Sequence, residues 1–262
     1  ITTNAKVRDY FINEAGAISV RWINFGVDGW RLDVANEIED EFWRAFRTKV
    51  KEANPEAYIV GEYWGNAAKW LDGTMWDSTM NYLFRAAVQN FFAGLDDDGK
   101  DSQTTVNEFD SALYAIASDY PEPSYSTALN LLGSHDTWRF IDRCGGDWTK
   151  LRAAVIFQMT YTGAPMIYYG AENGMSQWPG AKKDPGDRAA MEWENYSNPK
   201  HEEINELYRK LIRIRLSHNA LRSPHIRTIY RHDADKVYGY ARRSTDEAVI
   251  VIINNSFIFI LL

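Results

Sequence analysis

The chain has 262 residues, 45% hydrophobic and 14% aromatic, with 29 basic against 36 acidic residues and a formal charge of −7. Such a chain can bury a large core and has the length of one barrel or two smaller domains. Its composition excludes disorder, and an acidic balance without any long basic run excludes a nucleic-acid footprint and a polybasic membrane patch.

No stretch approaches the roughly 18 to 20 apolar residues of a membrane span. The single cysteine, Cys144, has no partner for a disulfide or a cysteine-based metal site, which fits a reducing compartment. The chain starts at Ile1 without a methionine, and its tail from Phe257 to Leu262 is one apolar run without a polar cap. Both ends therefore read as cuts inside a longer protein.

From Ala5 to Phe25, the apolar positions Val7, Tyr10, Phe11 and Ile18 predict one helix. The run Gly26-Val27-Asp28-Gly29-Trp30-Arg31-Leu32-Asp33 then reads as a buried strand that ends on an arginine and a carboxylate. After it, Ile38, Phe42, Ala45, Phe46 and Val50 recur at three- and four-residue intervals and predict a helix from Val34, stopped at Asn54-Pro55. Tyr58 to Gly61 is a second short strand and ends on Glu62, so the two units make a βαβ pattern. Met75 to Met80 reads as a third strand and Tyr82 to Leu95 as a helix. The acidic segment Asp96 to Thr105 reads as a solvated loop, and Val106 to Ser118 as a helix closed off by Pro121 and Pro123.

Ala128 to Gly133 is the next buried run and delivers Ser134-His135-Asp136. Asp147 is placed to cap a helix from Trp148 to Tyr161, followed by a strand from Pro165 to Gly170. Ala171 to Tyr196 is rich in glycine, proline and tryptophan and is longer than a simple connection needs, as functional loops often are. A helix from Glu202 to Leu216 follows. Past Pro224 the period changes, and Arg227–Arg231, Val237–Arg243 and Ala248–Asn254 read as strands of a second, incomplete all-β domain.

Asp33, Glu62 and Asp136 thus sit at three strand ends, the places where a parallel barrel builds its chemistry. Any one of them alone reads more readily as a helix cap than as a catalytic acid. Together they have the neighbours a sugar-cleaving site needs: Arg31 before Asp33, Trp64 after Glu62 and His135 before Asp136. Cleavage of a glycosidic bond uses one protonated and one ionised carboxyl group, roughly 5 to 5.5 Å apart in retaining enzymes. A carboxylate beside an arginine is kept ionised, whereas one set among apolar rings holds a proton more readily. On that logic Asp33 is the nucleophile, and Glu62, set between Gly61 and the rings of Tyr63 and Trp64, is the acid/base. Asp136 is a third carboxylate that binds sugar hydroxyls and stabilises an oxocarbenium-like transition state.

The motifs Gly29-Trp30-Arg31-Leu32-Asp33-Val34-Ala35-Asn36-Glu37, Val60-Gly61-Glu62-Tyr63-Trp64 and Gly133-Ser134-His135-Asp136-Thr137 closely resemble three blocks of the α-amylase family, in the same order. The Val-Ala-Asn-Glu ending is most similar to its neopullulanase, cyclomaltodextrinase and maltogenic amylase branch. Met80-Asn81-Tyr82, Ile167-Tyr168-Tyr169-Gly170, and Asp184-Pro185 with Arg188, Met191 and Trp193 also resemble that branch. The resemblance implies a (β/α)8 TIM barrel acting on α-1,4-linked glucans with retention, of which residues 1–220 would supply roughly strands 4 to 8. Residues 221–262 would begin a C-terminal β-sandwich. It implies the same roles for Asp33, Glu62 and Asp136, and adds Arg31 and His135 as substrate or nucleophile contacts. Asp184 and Arg188 would line the donor side of the site, and Trp64 and Glu37 would influence the acceptor side.

Three departures stand out. The family's earlier Asp-Asn-His block is absent, and with it the first three strand–helix units and the N-terminal sugar-binding domain. Trp138 stands where proline is common after His-Asp-Thr, and Ala171 where an acid is common after Tyr-Tyr-Gly. Calcium, where this family uses it, often depends on the missing block, and Asp96-Asp97-Asp98 lacks the alternating spacing of a calcium loop. No metal or other cofactor is expected from this sequence; calcium belongs, if anywhere, to the complete protein.

Trp64, Trp138, Trp178 and Trp193 could stack on sugar, though most of the ten tryptophans must serve packing. His201, His218, His225 and His232 read as surface or structural residues. The expected function is hydrolysis of α-1,4 bonds, with α-1,6 bonds as a second class, in cyclodextrins, maltodextrins or pullulan. The alternatives are an α-glucosidase or transglycosylase of the same family, or a non-catalytic barrel relative. The expected partner is an α-glucan oligosaccharide, with no nucleic acid and no membrane. Homodimers are common in the branch, built by the N-terminal domain missing here, and the lone cysteine and the branch together imply a cytoplasmic location.

Overall fold

The computed structural model of the chain describes residues 2–177 and 187–256. Short helices alternate with short strands, and the chain forms two compact units: the residues up to Asn81 with Ala117–Ala128, and Tyr82–Ile116 with the chain from Leu129 on. Among the described residues no helix is long and apolar enough to cross a membrane.

The first unit opens with α1 (Ala5–Arg8), a wider helical turn over Asp9–Asn13, and α2 (Ile18–Phe25). The single helix expected over Ala5 to Phe25 is therefore broken. Glu14 is extended and Gly16 adopts φ +81°, a left-handed conformation that ends the run of helical hydrogen bonds at no steric cost. β1 (Gly29–Leu32) pairs in parallel with β2 (Tyr58–Gly61), Gly29 opposite Tyr58 and Leu32 opposite Gly61. Position 29 must lack a side chain, because a Cβ there would run into the Tyr58 carbonyl. Between the strands, α3 (Asp40–Ala53) buries Phe42, Trp43, Phe46 and Val50 along one face. It begins six residues later than the spacing predicts. Val34 is left-handed and Ile38 extended, which leaves only a single tight turn at Ala35–Glu37 before it.

β3 (Ser78–Thr79) joins β2 in parallel and is shorter than the strand expected over Met75 to Met80. The side chain of Asp77, rather than a backbone carbonyl, accepts the Ile59 N–H (2.8 Å), so the ladder stops there. The same carboxylate pairs with Arg47 (2.8 Å) and Lys51 (2.9 Å), fastening α3 to the sheet. Burial works to raise the proton affinity of Asp77, but the bonds from Lys51, Arg47 and Ile59 outweigh it and hold the carboxyl below its ordinary range. Because the folded value is depressed, this contribution is complete above the ordinary aspartate range, about pH 4, and is lost as the pH falls through the folded value. Asp77→Asn should lower stability by about 2 kcal/mol at neutral pH. Urea unfolding at pH 7 and pH 3 checks both points: the gap between wild type and variant should shrink in acid.

In the second unit, α4 (Tyr82–Val88) continues as a wider turn through Ala93 and stops at Gly94, φ +77°. The acidic loop after it is exposed as expected, and one of its charges also serves the fold. Asp97 pairs with the buried Arg85, and its carbonyl accepts from Arg143 (2.8 Å), because a cation as buried as Arg85 requires a counter-charge. α5 (Val106–Asp119) leads back to the first unit, where Pro121 precedes α6 (Glu122–Ser126). β4 (Leu129–Leu131) pairs in parallel with β5 (Ala164–Met166), with α7 (Phe140–Arg143) and α8 (Trp148–Thr160) between them. Asp147 caps α8 as predicted, accepting from the N–H groups of Thr149 and Lys150. β5 ends at Met166, earlier than the run to Gly170 suggests, and the chain turns further on at Gly170, φ +80°.

α9 (Pro199–Ser217) and α10 (Asn219–Arg222) lead to an antiparallel meander of β6 (Ile226–His232), β7 (Val237–Arg243) and β8 (Ala248–Asn254). Phe84, Phe109, Phe157, Tyr238 and Tyr240 are buried together, ring against ring. Cys144 is buried as well, and burial pushes its thiol up to about 12, so it is an unreactive packing residue. The four histidines read as structural behave so in part: His201 contacts the Asn173 carbonyl (2.5 Å), and His218 and His232 pair with Glu247 and Asp235.

Candidate active site

In the first unit the equal register of β1 and β2 brings two acids to one end of the sheet. Leu32 faces Gly61, so Asp33 and Glu62 leave their strands side by side. Arg31 lies between their carboxylates: Nη1 pairs with Asp33, and Nη2 lies 2.8 Å from Glu62 Oε1. The second oxygen of Glu62 accepts the Val34 N–H at 3.0 Å. Backbone bonds fix the acid further, from Glu62 N–H to Leu32 O (2.9 Å) and from Ala35 N–H to Glu62 O (3.3 Å). The Glu62 side chain is 8% exposed, against 72% for Asp33.

Val34 makes this possible at a local cost. Its φ of +44° is strained for a β-branched residue, and this conformation aims its N–H at the acid. Beneath Glu62 the packing leaves no slack. A Cβ on Gly61 would run into the ring of Trp76, which is fully buried and stacked on Trp70 at 4.8 Å.

The ring-flanked setting expected for Glu62 is not the setting of its carboxylate, which meets Arg31 and an N–H group. Neighbouring side chains on an extended segment point to opposite sides. The Tyr63 ring accordingly packs on the edge of Trp70, and Trp64 is 41% exposed. Glu37 is exposed at the end of its tight turn.

In the second unit, the turn after β4 holds Asp136 on both oxygens. His135 Nε2 lies 3.1 Å from Oδ2, and Arg188 Nη2 lies 2.8 Å from Oδ1. Arg188 also donates through Nε to the His135 carbonyl (2.9 Å). The turn is built on Ser134, whose hydroxyl accepts from Asp136 N–H (3.2 Å) and from Tyr82 (3.0 Å), while its own N–H donates to Thr137 (2.8 Å). Asp184 and Trp178 lie outside the described residues. Trp138 is half-buried beside Arg143, and Trp193 is exposed and stacks on Tyr196. The aspartates at 96–98 are engaged by the chain's own groups: Asp96 accepts from Lys100 N–H, Asp97 pairs with Arg85, and Asp98 pairs with Lys100.

The structure thus brings together Arg31, Asp33 and Glu62 in one unit, and His135, Asp136 and Arg188 in the other. Sequence reasoning missed Val34 and Ser134. The position of Ser134 within Gly-Ser-His-Asp was a usable signal, whereas nothing in a valine announces a positive φ.

The chain matches the family description "Alpha amylase, catalytic domain" over residues 1–255. It is 42% identical to Neopullulanase 2 of Thermoactinomyces vulgaris over 254 residues, covering 97% of this chain and 40% of that protein. It is 38% identical to a cyclomaltodextrinase of Bacillus sp. over 255 residues, covering 97% of this chain and 43% of the relative. Among solved structures, a cyclomaltodextrinase superposes with a TM-score of 0.85 at 37% identity, over 97% of this chain and 41% of that one. The acarbose-soaked Nostoc punctiforme debranching enzyme gives 0.84 at 36%, over 96% and 52%. The chain therefore spans about two-fifths of the length of these curated relatives.

Proposed function

We propose that this chain, which belongs to the α-amylase family, carries the catalytic acids of a retaining glycoside hydrolase. Its substrates would be cyclodextrins, maltodextrins or pullulan, cleaved at α-1,4 and secondarily α-1,6 glucosidic bonds. The observation that carries the reading is the single guanidinium of Arg31 touching both Asp33 and Glu62 at adjacent strand ends. One fork that reaches both acids favours the short separation of a retaining pair, about 5 to 5.5 Å, over the wider gap of inverting enzymes.

Asp33, the more exposed acid, attacks the anomeric carbon. Glu62 donates a proton to the leaving glycosidic oxygen, then takes one from the water that releases the glycosyl group from Asp33. Because Val34 N–H engages Oε2, the proton belongs on Oε1, which must part from Arg31 to carry it. Arg31 then remains as the partner of Asp33. Asp136, fixed by His135 and Arg188, binds sugar hydroxyls and stabilises the developing positive charge. Every step is assigned to the chain's own side chains, without a metal or organic cofactor.

We assign residues 1–220 to the later part of a (β/α)8 barrel, strands 4 to 8, which the parallel pairings of β1–β3 and β4–β5 support. Residues 221–262 begin a β-sandwich, supported by the antiparallel meander of β6–β8. For the full-length protein we propose a cytoplasmic homodimer; the buried, unpaired Cys144 is consistent with that compartment.

The test follows maltodextrin turnover by the full-length protein with NMR, reading the anomer first released. The α-anomer is expected. The β-anomer would overturn the retaining mechanism, and no released sugar would favour the non-catalytic alternative. In the same assay Arg31→Met should lower kcat/KM by roughly 10²- to 10³-fold, because the two carboxylates would lose their common cation.

A further inference from the structure

The second unit carries a groove of about 390 Å³ between the first turns of α8 and α9, and its lining shares no residue with the candidate active site. That volume lies within the roughly 300 to 1,000 Å³ of small-molecule sites. Its wall includes Asp147, Trp148, Arg152, Lys200 and Glu203, with the buried Ile204. β4 and β5 run parallel, so α8, which returns the chain to the start of β5, begins toward the C-terminal end of β4. Asp136 leaves β4 at that same end.

The aromatic part of the wall is fixed in place. A Cβ on Gly174 would lie 2.4 Å from Cζ3 of the Trp148 ring, and the His201 ring meets the same indole nearly at right angles, with centres 5.0 Å apart. A ring clamped in this way needs no ordering when a ligand settles on it, which lowers the cost of binding.

The polar part of the wall is balanced in charge. Asp147 and Glu203 stand against Arg152 and Lys200, and Arg152 Nη1 lies 3.1 Å from Glu203 Oε2 in a pair exposed on both sides. Both helix starts are engaged by the chain's own caps: Asp147 accepts from the N–H groups of Thr149 and Lys150, and Asn198 from that of Lys200. Two charges of each sign leave no net field to select an ion. Such a wall fits a neutral ligand with many hydroxyl groups, because the carboxylates accept, the cations donate and the indole covers an apolar ring face.

We propose that this groove is a second binding site for a neutral sugar, a short α-glucan segment, held by Trp148, Arg152, Lys200 and Glu203. That the sugar is an α-glucan rests on the proposed function, whereas the match to an uncharged hydroxylated ring rests on the groove alone.

Calorimetric titration of the full-length Asp33→Asn protein with maltotriose tests the site. Two binding events are expected, and Arg152→Ala combined with Glu203→Ala should remove one and leave the other unchanged. An exposed ion pair adds little to stability, so this double variant should fold. Trp148→Ala should remove the same event; the double variant keeps the test decisive if the loss of the clamped ring unfolds the chain. Inorganic phosphate should not compete for the event. A maltotriose isotherm unchanged in the folded double variant overturns the proposal, and so does displacement by phosphate, which would assign the groove to an anion. Absence of hydrolysis by the wild type with this event intact would count against the proposed function alone, so the two fail separately.

Discussion

Asp33→Asn in the full-length protein is expected to abolish turnover of a maltodextrin, lowering kcat by about four orders of magnitude or more, with the unfolding midpoint nearly unchanged. The amide preserves the shape of the side chain but has no anionic oxygen to attack the anomeric carbon. Stability should hold because the side chain is 72% exposed and its partner Arg31 keeps the ion pair with Glu62. Exposed ion pairs contribute little in any case. A reducing-sugar assay and a thermal melt on the same preparation separate the two effects. Activity within tenfold of the wild type would reject Asp33 as the nucleophile, and a large fall in the melting point would mean that the loss reports on folding instead.

Gly61→Ala should be among the most damaging single-methyl changes in the first unit. The added Cβ points into the ring of Trp76, which cannot retreat, being fully buried and stacked on Trp70 with the planes 11° apart. Either the ring leaves its rotamer or β2 lifts away from β1 and β3, breaking the bonds from Glu62 N–H to Leu32 O and from Met80 N–H to Gly61 O. Overpacking of this kind costs about 3 kcal/mol. Chemical denaturation should show that loss as a shifted midpoint at constant slope. A loss below about 1 kcal/mol would show that the strand accommodates the methyl group. Activity should fall further than stability predicts, because the residue that moves is bonded directly to Glu62. Trp76→Phe combined with Gly61→Ala should recover part of the stability, since a smaller ring relieves the clash.

The strand Tyr58–Gly61 was legible to the residue because a short run of apolar, β-favouring types is bounded by Asn54-Pro55 before it and by Glu62 after it. The Asp147 cap and the three strands of the meander were legible for the same reason: each depends on residues close in sequence. Helix starts were less so. The periodic residues Phe42, Phe46 and Val50 do form the buried face of α3, but Ile38, which continues their spacing backwards, is extended.

The sequence by itself determined which residue types stand at the ends of the strands: Arg31 and Asp33 after one, Glu62 after the next, and His135 and Asp136 after a third. Periodicity, capping and strand termination are local, and the family motifs are local too. What each of those groups bonds to was decided only by the tertiary structure. Arg31 touches both acids because the register of β1 and β2 sets Leu32 opposite Gly61, and that register is a property of two segments separated by a whole helix. Val34 turns left-handed because the fold over-determines it, and Asp97 is drawn to Arg85 by a buried charge. Electrostatic partnership depends on distance in space and on burial, neither of which is written in the order of the residues.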